Sequence, residues 1–541
     1  MQILRKGYSG RLGVVDSRFE IRDSRLRAFQ SRISNLESRI ALVTLILVFY
    51  VAVASCGNSS ESAIRPPAVA GQFYPSDPEK LKLAIEKFLQ DSSAIPMEKP
   101  VAIIVPHAGY IYSGQIAADA YRQVMGRQYN TIVILGVNHT SPTFNGVSVG
   151  DYSAFRTPLG IIPVDEEIRS ALLAESKDCV QSREVHEKEH SIEVQLPFIQ
   201  VLFPNARIVP VVIHPPDLKM CVRFGQALAK VLKGRQALIV ISSDLSHYPA
   251  YENAVKADRQ TLETIVSLDS GRISSLMKEL DLPNLETRAC GEAAIIAGVT
   301  AAKALGAKRA VVVGYANSGD IPVGDRSKTV GYGAVVLAPG DAPGSTAVLV
   351  RPAPPTSATP LQNPEKKTLL TFARETILRY LTTQTIPLAR NFPSRLDFPQ
   401  GVFVTLRKNG ELRGCIGHMS QDMELDKTVE AMALEAAFND PRFPPVQLSE
   451  VKNLEIEISV LTPMKPINKS DEIVVGRDGV LLSKAGRSAV FLPQVATEEH
   501  WSRDEMLDHL CEKAGMAAGC WRRDASFQVF QAEVFSESQF K

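Results

Sequence analysis

The stretch ALIVISSDLSHY, residues 237–248, decides how the chain is read. Its first part, Ala237 to Ile241, is apolar without helical spacing, as in a strand covered on both faces. Ser242-Ser243-Asp244-Leu245-Ser246-His247 follows at once and carries groups able to do chemistry. Working outward, the same form recurs at Val101 to Val105, Thr131 to Leu135, Ile208 to Ile213 and Ala310 to Val313. Helical patterns lie between these runs, over Pro78 to Leu89, Glu193 to Leu202, Lys219 to Lys233 and Ala250 to Leu268. This alternation predicts an α/β domain: a mostly parallel sheet with helices on both faces.

In open sheets of that kind, functional groups gather beyond the carboxyl ends of the strands. Pro106-His107-Ala108-Gly109-Tyr110 follows the run at Val101, and Gly136-Val137-Asn138-His139 follows the run at Thr131. With His247, three of the chain's nine histidines fall at one sheet edge. His107, His139, His247 and Asp244 are the ligand candidates, because neutral imidazoles with a carboxylate hold first-row metals. Cys290 precedes an apolar helix beginning near Glu292, where the helix dipole favours a thiolate acting as ligand or nucleophile. His186 and His190 have the i,i+4 spacing of a zinc protease, yet His186 lies in a charged, loop-like stretch. His190 and Glu193 are read as proton-transfer or orienting groups lining the pocket, His186 as a surface residue and His214 as structural.

A second body begins after the prolines of 339–364, a stretch with the composition of an extended linker. A helix pattern from Leu369 leads to a strand at Gly401 to Arg407 and a hairpin turn at Lys408-Asn409-Gly410-Glu411. Leu412-Arg413-Gly414-Cys415-Ile416-Gly417 follows, then a helix over Met423 to Ala437 and an alternating strand at Leu454 to Leu461. This is an α+β pattern. Cys415 beside Arg413 reads as a nucleophile with an activating cation. The structural alternative makes Gly414 and Gly417 backbone devices and Cys415 a small buried side chain. Asp440 and Arg442 form a plausible pair across the intervening turn.

The amino-terminal part is of another kind. Residues 1–39 are rich in arginine, and Ile40 to Ser55 is an uncharged apolar run. Val53-Ala54-Ser55-Cys56 resembles a bacterial lipobox, so the expectation is an exported, membrane-associated lipoprotein lipidated at Cys56. An uncleaved anchor helix is the alternative, and a start codon downstream of Met1 would leave the protein cytoplasmic. The expected division is thus 1–62 leader, 63–338 first domain, 339–364 linker and 365–541 second domain. With 60 basic and 59 acidic side chains there is no global field to attract nucleic acid. Seven dispersed cysteines argue against a disulfide scaffold.

PHAGYIYSG (106–114), LGVNHT (135–140), EHSIEVQLPF (189–198), SSDLSHY (242–248), CGEAAI (290–295) and YANSGD (315–320) together resemble the Memo protein family. The resemblance implies the fold of class III extradiol dioxygenases, which use non-heme iron. It also implies that His107, His139 and Cys290 bind the metal while Asp244 and His247 line the pocket. A thiolate in place of a hard ligand speaks against ring opening and for iron or copper, with zinc as a third choice. LRGCIG (412–417), EIEISVLTP (455–463), GRDGVLL (476–482) and FLPQV (491–495) resemble the AMMECR family. The two resemblances joined imply components A and B of the AmmeMemoRadiSam system, with a radical-SAM enzyme as partner. Three functions stay open: a metal-dependent oxidoreductase, a metal-binding protein without turnover, and a docking module for that partner.

Overall fold

The five apolar runs are strands, and three further strands complete their sheet. In chain order these are β1 (Ala102–Val105), β2 (Thr131–Val137), β3 (Gly146–Gly150), β4 (Cys179–Ser182), β5 (Arg207–His214), β6 (Ala237–Ser242), β7 (Arg309–Asn317) and β8 (Gly331–Ala338). The computed structural model describes residues 64–540 except 216, 322–323, 341–359, 389–391, 393–395 and 397. The basic leader, the apolar run, Cys56 and most of the proline-rich linker therefore lie outside the described residues.

The strand order is β7-β8-β1-β6-β2-β5-β3-β4. The centre is parallel, with β6 between β1 and β2 and with β5 beside β2. Toward the rims the pairing changes: β7 with β8, β8 with β1, and β3 with β5 are antiparallel, while β3 with β4 is parallel. The five runs read from the sequence, β7 included, therefore point the same way, and the reversed strands are β8, β3 and β4, so the sheet is mostly parallel. Helices α1 (Pro78–Asp91) and α2 (Tyr110–Val124) cover one face, α2 lying on β1, β7 and β8. On the other face α3 (Leu218–Leu232), α4 (Tyr251–Val266) and α5 (Glu292–Ala304) share a core with Ile104, Val133, Leu135, Val211 and Ile241. Asp77 and Asp217 cap α1 and α3 by accepting from the backbone of Lys80 and Met220. Each cap contributes on the order of 1 kcal/mol.

The carboxyl-terminal region is built from hairpins. Helix α6 (Asn363–Thr383) precedes the hairpin of β9 (Val402–Lys408) and β10 (Glu411–His418). Its turn has positive φ at both Asn409 (53°) and Gly410 (87°), as a type I′ turn requires. Helix α7 (Leu425–Leu434) runs into a π-helical turn, Glu435–Asn439. Strand β11 (Leu454–Leu461) then joins an antiparallel sheet of order β10-β9-β11 with Ala532–Ser536 at its edge. A second antiparallel sheet holds Lys465–Ile467, Ser526–Phe530, Gly479–Lys484 and Arg487–Phe491 and packs on α8 (Arg503–Lys513). One disulfide, Cys511–Cys520, closes a short loop after α8.

The two regions belong to one compact unit, and they touch along a continuous seam. Arg379 of α6 pairs with Asp91 and lies over the Phe88 ring. Glu424 bonds Arg326 at 2.9 Å, and Lys427 donates to the carbonyl of Asp320. Between these ties Ile321, Ile386 and Leu434 form an apolar cluster with Ile111, Tyr380 and Phe438. Among the described residues no helix is long and apolar enough to cross a membrane.

Candidate metal centre

Three neighbouring strands, β1, β6 and β2, end at the same edge of the sheet, and their loops build one pocket. His107 stands two residues beyond β1, and His139 stands two beyond β2. Between them β6 ends at Ser242, and the Ser243 hydroxyl accepts from the Gly291 amide at 2.9 Å. That bond seats the start of α5, and Cys290 with it, against the histidines. Cys290 Sγ lies 3.3 Å from His107 Nε2. One ligand atom each from His107, His139 and Cys290 falls within 4.8 Å of the others.

The hydrogen bonds decide which nitrogens are free. Ser242 Oγ donates to the Ser191 carbonyl at 2.7 Å and accepts from Gln195 Nε2 at 3.0 Å. Its hydrogen is spent, so toward His107 Nδ1, 3.0 Å away, it acts as acceptor. His107 therefore carries its proton on Nδ1 and presents an Nε2 lone pair. His139 Nδ1 donates to Glu189 Oε1 at 2.9 Å, which leaves its Nε2 free as well. The other oxygen of Glu189 accepts the His139 amide at 2.7 Å. Two imidazoles, each with its Nδ1 hydrogen bonded outward, and a thiol thus converge, a donor set able to hold a metal ion.

Electrostatics follow from burial. Burial, then the charges of His139 and His190, holds His107 well below its ordinary value. His190 and His247 are also lowered by burial. Burial would depress His139 too, but the bond and charge of Glu189 outweigh it and raise the ring. Burial would raise Glu189, yet the bonds and charges of His139 and His190 bring it to about 2. The Cys290 thiol is pushed up by desolvation, then by Asp244. The expected help from the helix dipole does not prevail, so a thiolate there needs the positive charge of a bound ion.

Asp244 is not among the converging donors. Its Oδ1 accepts the amides of His107 at 2.7 Å and of Ala108 at 3.3 Å, fixing the backbone that carries His107. His247 Nε2 is buried and meets no hydrogen-bond partner among the described residues. The His190 ring stacks on His139 at 4.5 Å and meets His107 edge-on at 5.6 Å. A second group, His139, Glu189 and His190, shares His139 with the first, but there the Glu189 contact is already a hydrogen bond.

Two expectations at this edge need correction. Glu193 does not line the pocket: it is fully buried against Arg65 at 2.5 Å and accepts from Tyr74 and the amides of Ala68 and Val69. His186 is not at the surface but 1% exposed, with Nε2 3.2 Å from the Ser148 carbonyl. Burial lowers it to about 4. Glu189, which the sequence reading passed over, is the residue that orients His139.

In the second region, Arg413 does not serve Cys415. It pairs with Glu450 at 3.1 Å, because the β9–β10 ladder is irregular next to it. The cation at Cys415 is Arg442, which donates to the Cys415 carbonyl and to Asp440. Asp440 in turn accepts the Cys415 amide at 2.9 Å. Gly414 and Gly417 are there for space: a Cβ would lie 2.1 Å from the Ala436 carbonyl oxygen at one and 2.2 Å from the Phe403 ring at the other.

Comparison with known proteins agrees with this partition. The family model for Memo-like proteins matches residues 65–336, and the AMMECR1 model matches 370–535. A MEMO1 family protein of Methanocaldococcus jannaschii is 39% identical over 293 residues, which is 51% of this chain and 99% of that protein. Another, from Aquifex aeolicus, is 37% identical over 270 residues, 50% of this chain and 97% of its own. The crystal structure of an uncharacterized protein from Pyrococcus horikoshii is 38% identical, covers 33% of this chain and 93% of its own, and has a TM-score of 0.32. Sheet, pocket and matched residues lead to one statement: the chain belongs to the Memo-like protein family and carries an AMMECR1 region fused behind the Memo-like one.

Proposed function

We propose that the Memo-like region binds a single transition-metal ion through His107 Nε2, His139 Nε2 and Cys290 Sγ. The observation that carries this is the outward bonding of both Nδ1 atoms, to Ser242 and to Glu189, which leaves each Nε2 for a ligand, with ligand atoms of the two rings and the thiol within 4.8 Å of one another. The mixed nitrogen and sulfur set favours iron or copper, with zinc as the redox-silent alternative. A redox-active ion there would supply one-electron chemistry, which makes an oxidoreductase the leading enzymatic reading. Around it, His190 and His247 are kept neutral by burial and can each accept a proton. Asp244 holds the His107 backbone, and Glu189 fixes the plane of His139. Metal analysis of the full chain tests the proposal. A folded variant combining His107→Ala, His139→Ala and Cys290→Ser that kept wild-type iron or copper content would end it.

We further propose export and lipidation at Cys56. Beyond the lipobox, support comes from the Cys511–Cys520 bridge, since such bonds persist chiefly in oxidising compartments. Labelling with a fatty-acid analogue decides it: Cys56→Ala should lose the label and the sedimentation with membranes.

A further inference from the structure

The pocket wall formed by residues 242–251 is fastened to the AMMECR1 region. Within the Memo-like region this segment is laced to 326–331: Leu245 N donates to the Gly331 carbonyl, Tyr248 N to that of Thr329, and Tyr251 N to that of Arg326, at 2.7 to 2.9 Å. The Arg326 guanidinium lies 3.7 Å from the centre of the Tyr251 ring, and the Tyr251 hydroxyl donates to Asp320 Oδ1 at 2.7 Å. Arg326, Tyr251 and Asp320 are therefore one cluster at the far end of the Asp244–His247 segment.

That cluster is what the AMMECR1 region grips. Glu424 pairs with Arg326, and Lys427 donates to the Asp320 carbonyl. Lys427 is only 4% exposed and both members of the Arg326–Glu424 pair are partly buried, so solvent screens these ties less than it screens surface pairs. Both residues sit at the start of α7, and further along α7 Leu434 packs with Ile111 and Ile321. Ile111 belongs to α2, just beyond His107. The seam thus reaches both the helix that follows His107 and the cluster that ends the Asp244–His247 segment.

We propose that the AMMECR1 region acts as a positioning element for the metal pocket, with Glu424 and Lys427 holding the Arg326–Tyr251–Asp320 cluster and so keeping Asp244 in register with His107. The spectroscopic arm of the test rests on the metal-binding reading above, while the exchange arm does not. In the full chain, Glu424→Ala with Lys427→Ala is compared with Arg379→Ala, which removes a tie at the other end of the seam.

Without metal, amide hydrogen exchange at Leu245, Tyr248 and Tyr251 should quicken at least about tenfold in the double variant, while β2 stays as protected as before. With cobalt(II) as probe, the double variant should still bind one ion, but about tenfold more weakly and with an altered ligand-field spectrum. Arg379→Ala should leave both readouts unmoved, and Glu424→Gln, which keeps an acceptor for Arg326, should stay close to wild type. The proposal is overturned if the three amides exchange at the wild-type rate, or if Arg379→Ala moves them as far as the double variant. A wild-type chain that takes up no cobalt overturns the metal reading instead, and the exchange result then decides this one alone.

Discussion

At the carboxyl edge of the eight-stranded sheet, His107, His190, His247 and Cys290 are shifted chiefly by burial. On and around β10, Arg413 is met by Glu450 and Arg442 by Asp440, and both carboxylates are held near 2 mainly by bonds from those arginines. Groups shifted mainly by desolvation in a cleft mark a candidate site, whereas groups shifted mainly by a bonded counter-charge are explained by that pair. Topology produces part of this contrast. Parallel strands send every loop to one edge, so side chains remote in sequence converge there. The β9–β10 hairpin returns its motif along a neighbour, and the Arg413 side chain and Cys415 amide are met by the carboxylates of Glu450 and Asp440.

The sharpest way to break the comparison lies inside the Memo-like half. If Glu193 belongs to the paired class, Glu193→Ala strands Arg65, which is fully buried, without a counter-charge. The expected loss is about 3–5 kcal/mol of stability by urea denaturation, with metal stoichiometry preserved in the folded fraction. A variant as stable as wild type but short of metal would move Glu193 back to the pocket. Glu189→Gln asks the opposite question. Here stability should fall by only about 1–3 kcal/mol, the cost of a buried donor left unmet, while metal affinity falls roughly 10- to 100-fold, because one donor from His139 loses its acceptor. The sign of the pH dependence follows. Glu189 raises His139 above the ordinary 6.5, so protons compete with the ion from above that pH, and affinity falls as pH falls. Titration of Glu189→Gln should show that competition displaced to lower pH.

How much of this could be read from sequence depends on burial. The central runs were legible because strands covered on both faces are nearly continuous in Val, Ile and Leu, as Thr131–Val137 shows. At the rim the signal fades: Gly146–Gly150 and Cys179–Ser182 are short and mixed, and neither announces a strand. Helix α2 hid for the opposite reason. Nearly all of YIYSGQIAADAYRQV is buried, so no apolar stripe stands out against a polar face. Single side chains were harder still. Glu189 caps the Ser191 amide and reads as an ordinary helix start, although the same carboxylate holds His139. Arg413 was coupled to Cys415 by proximity in sequence, whereas a local irregularity of the ladder turns it toward Glu450.

A smaller effect is expected where LRGCIG is only a matter of space. Gly414→Ala drives a Cβ to 2.1 Å from the Ala436 carbonyl oxygen, a backbone atom that cannot swing aside. Overpacking of that sort costs about 1–3 kcal/mol. Thermal melts of the full chain measure it, while Cys415→Ser should stay within about 0.5 kcal/mol. The reverse order would mean that the thiol, and not the glycine, organises the strand.

Smallest is the charge that ties the motif down. Asp440 accepts from the Cys415 amide and Arg442 Nη2 on one oxygen, and from the Arg442 amide and Nε on the other. Asp440→Asn keeps one acceptor but turns an amide hydrogen toward two donors, so it loses bonds that no rotation restores. Because Arg442 is half exposed, solvent screens the pair and the cost should be only about 1 kcal/mol at neutral pH. The carboxyl is lowered to about 2, so its contribution is complete above the unfolded value near 4 and fades as pH falls through about 2. Denaturant melts of wild type and Asp440→Asn should therefore differ at pH 7 and draw together in strong acid. If the difference instead persists unchanged to pH 2, the paired charge is not what holds Cys415 in place, and the contrast between a waiting pocket and a satisfied hairpin loses its second half.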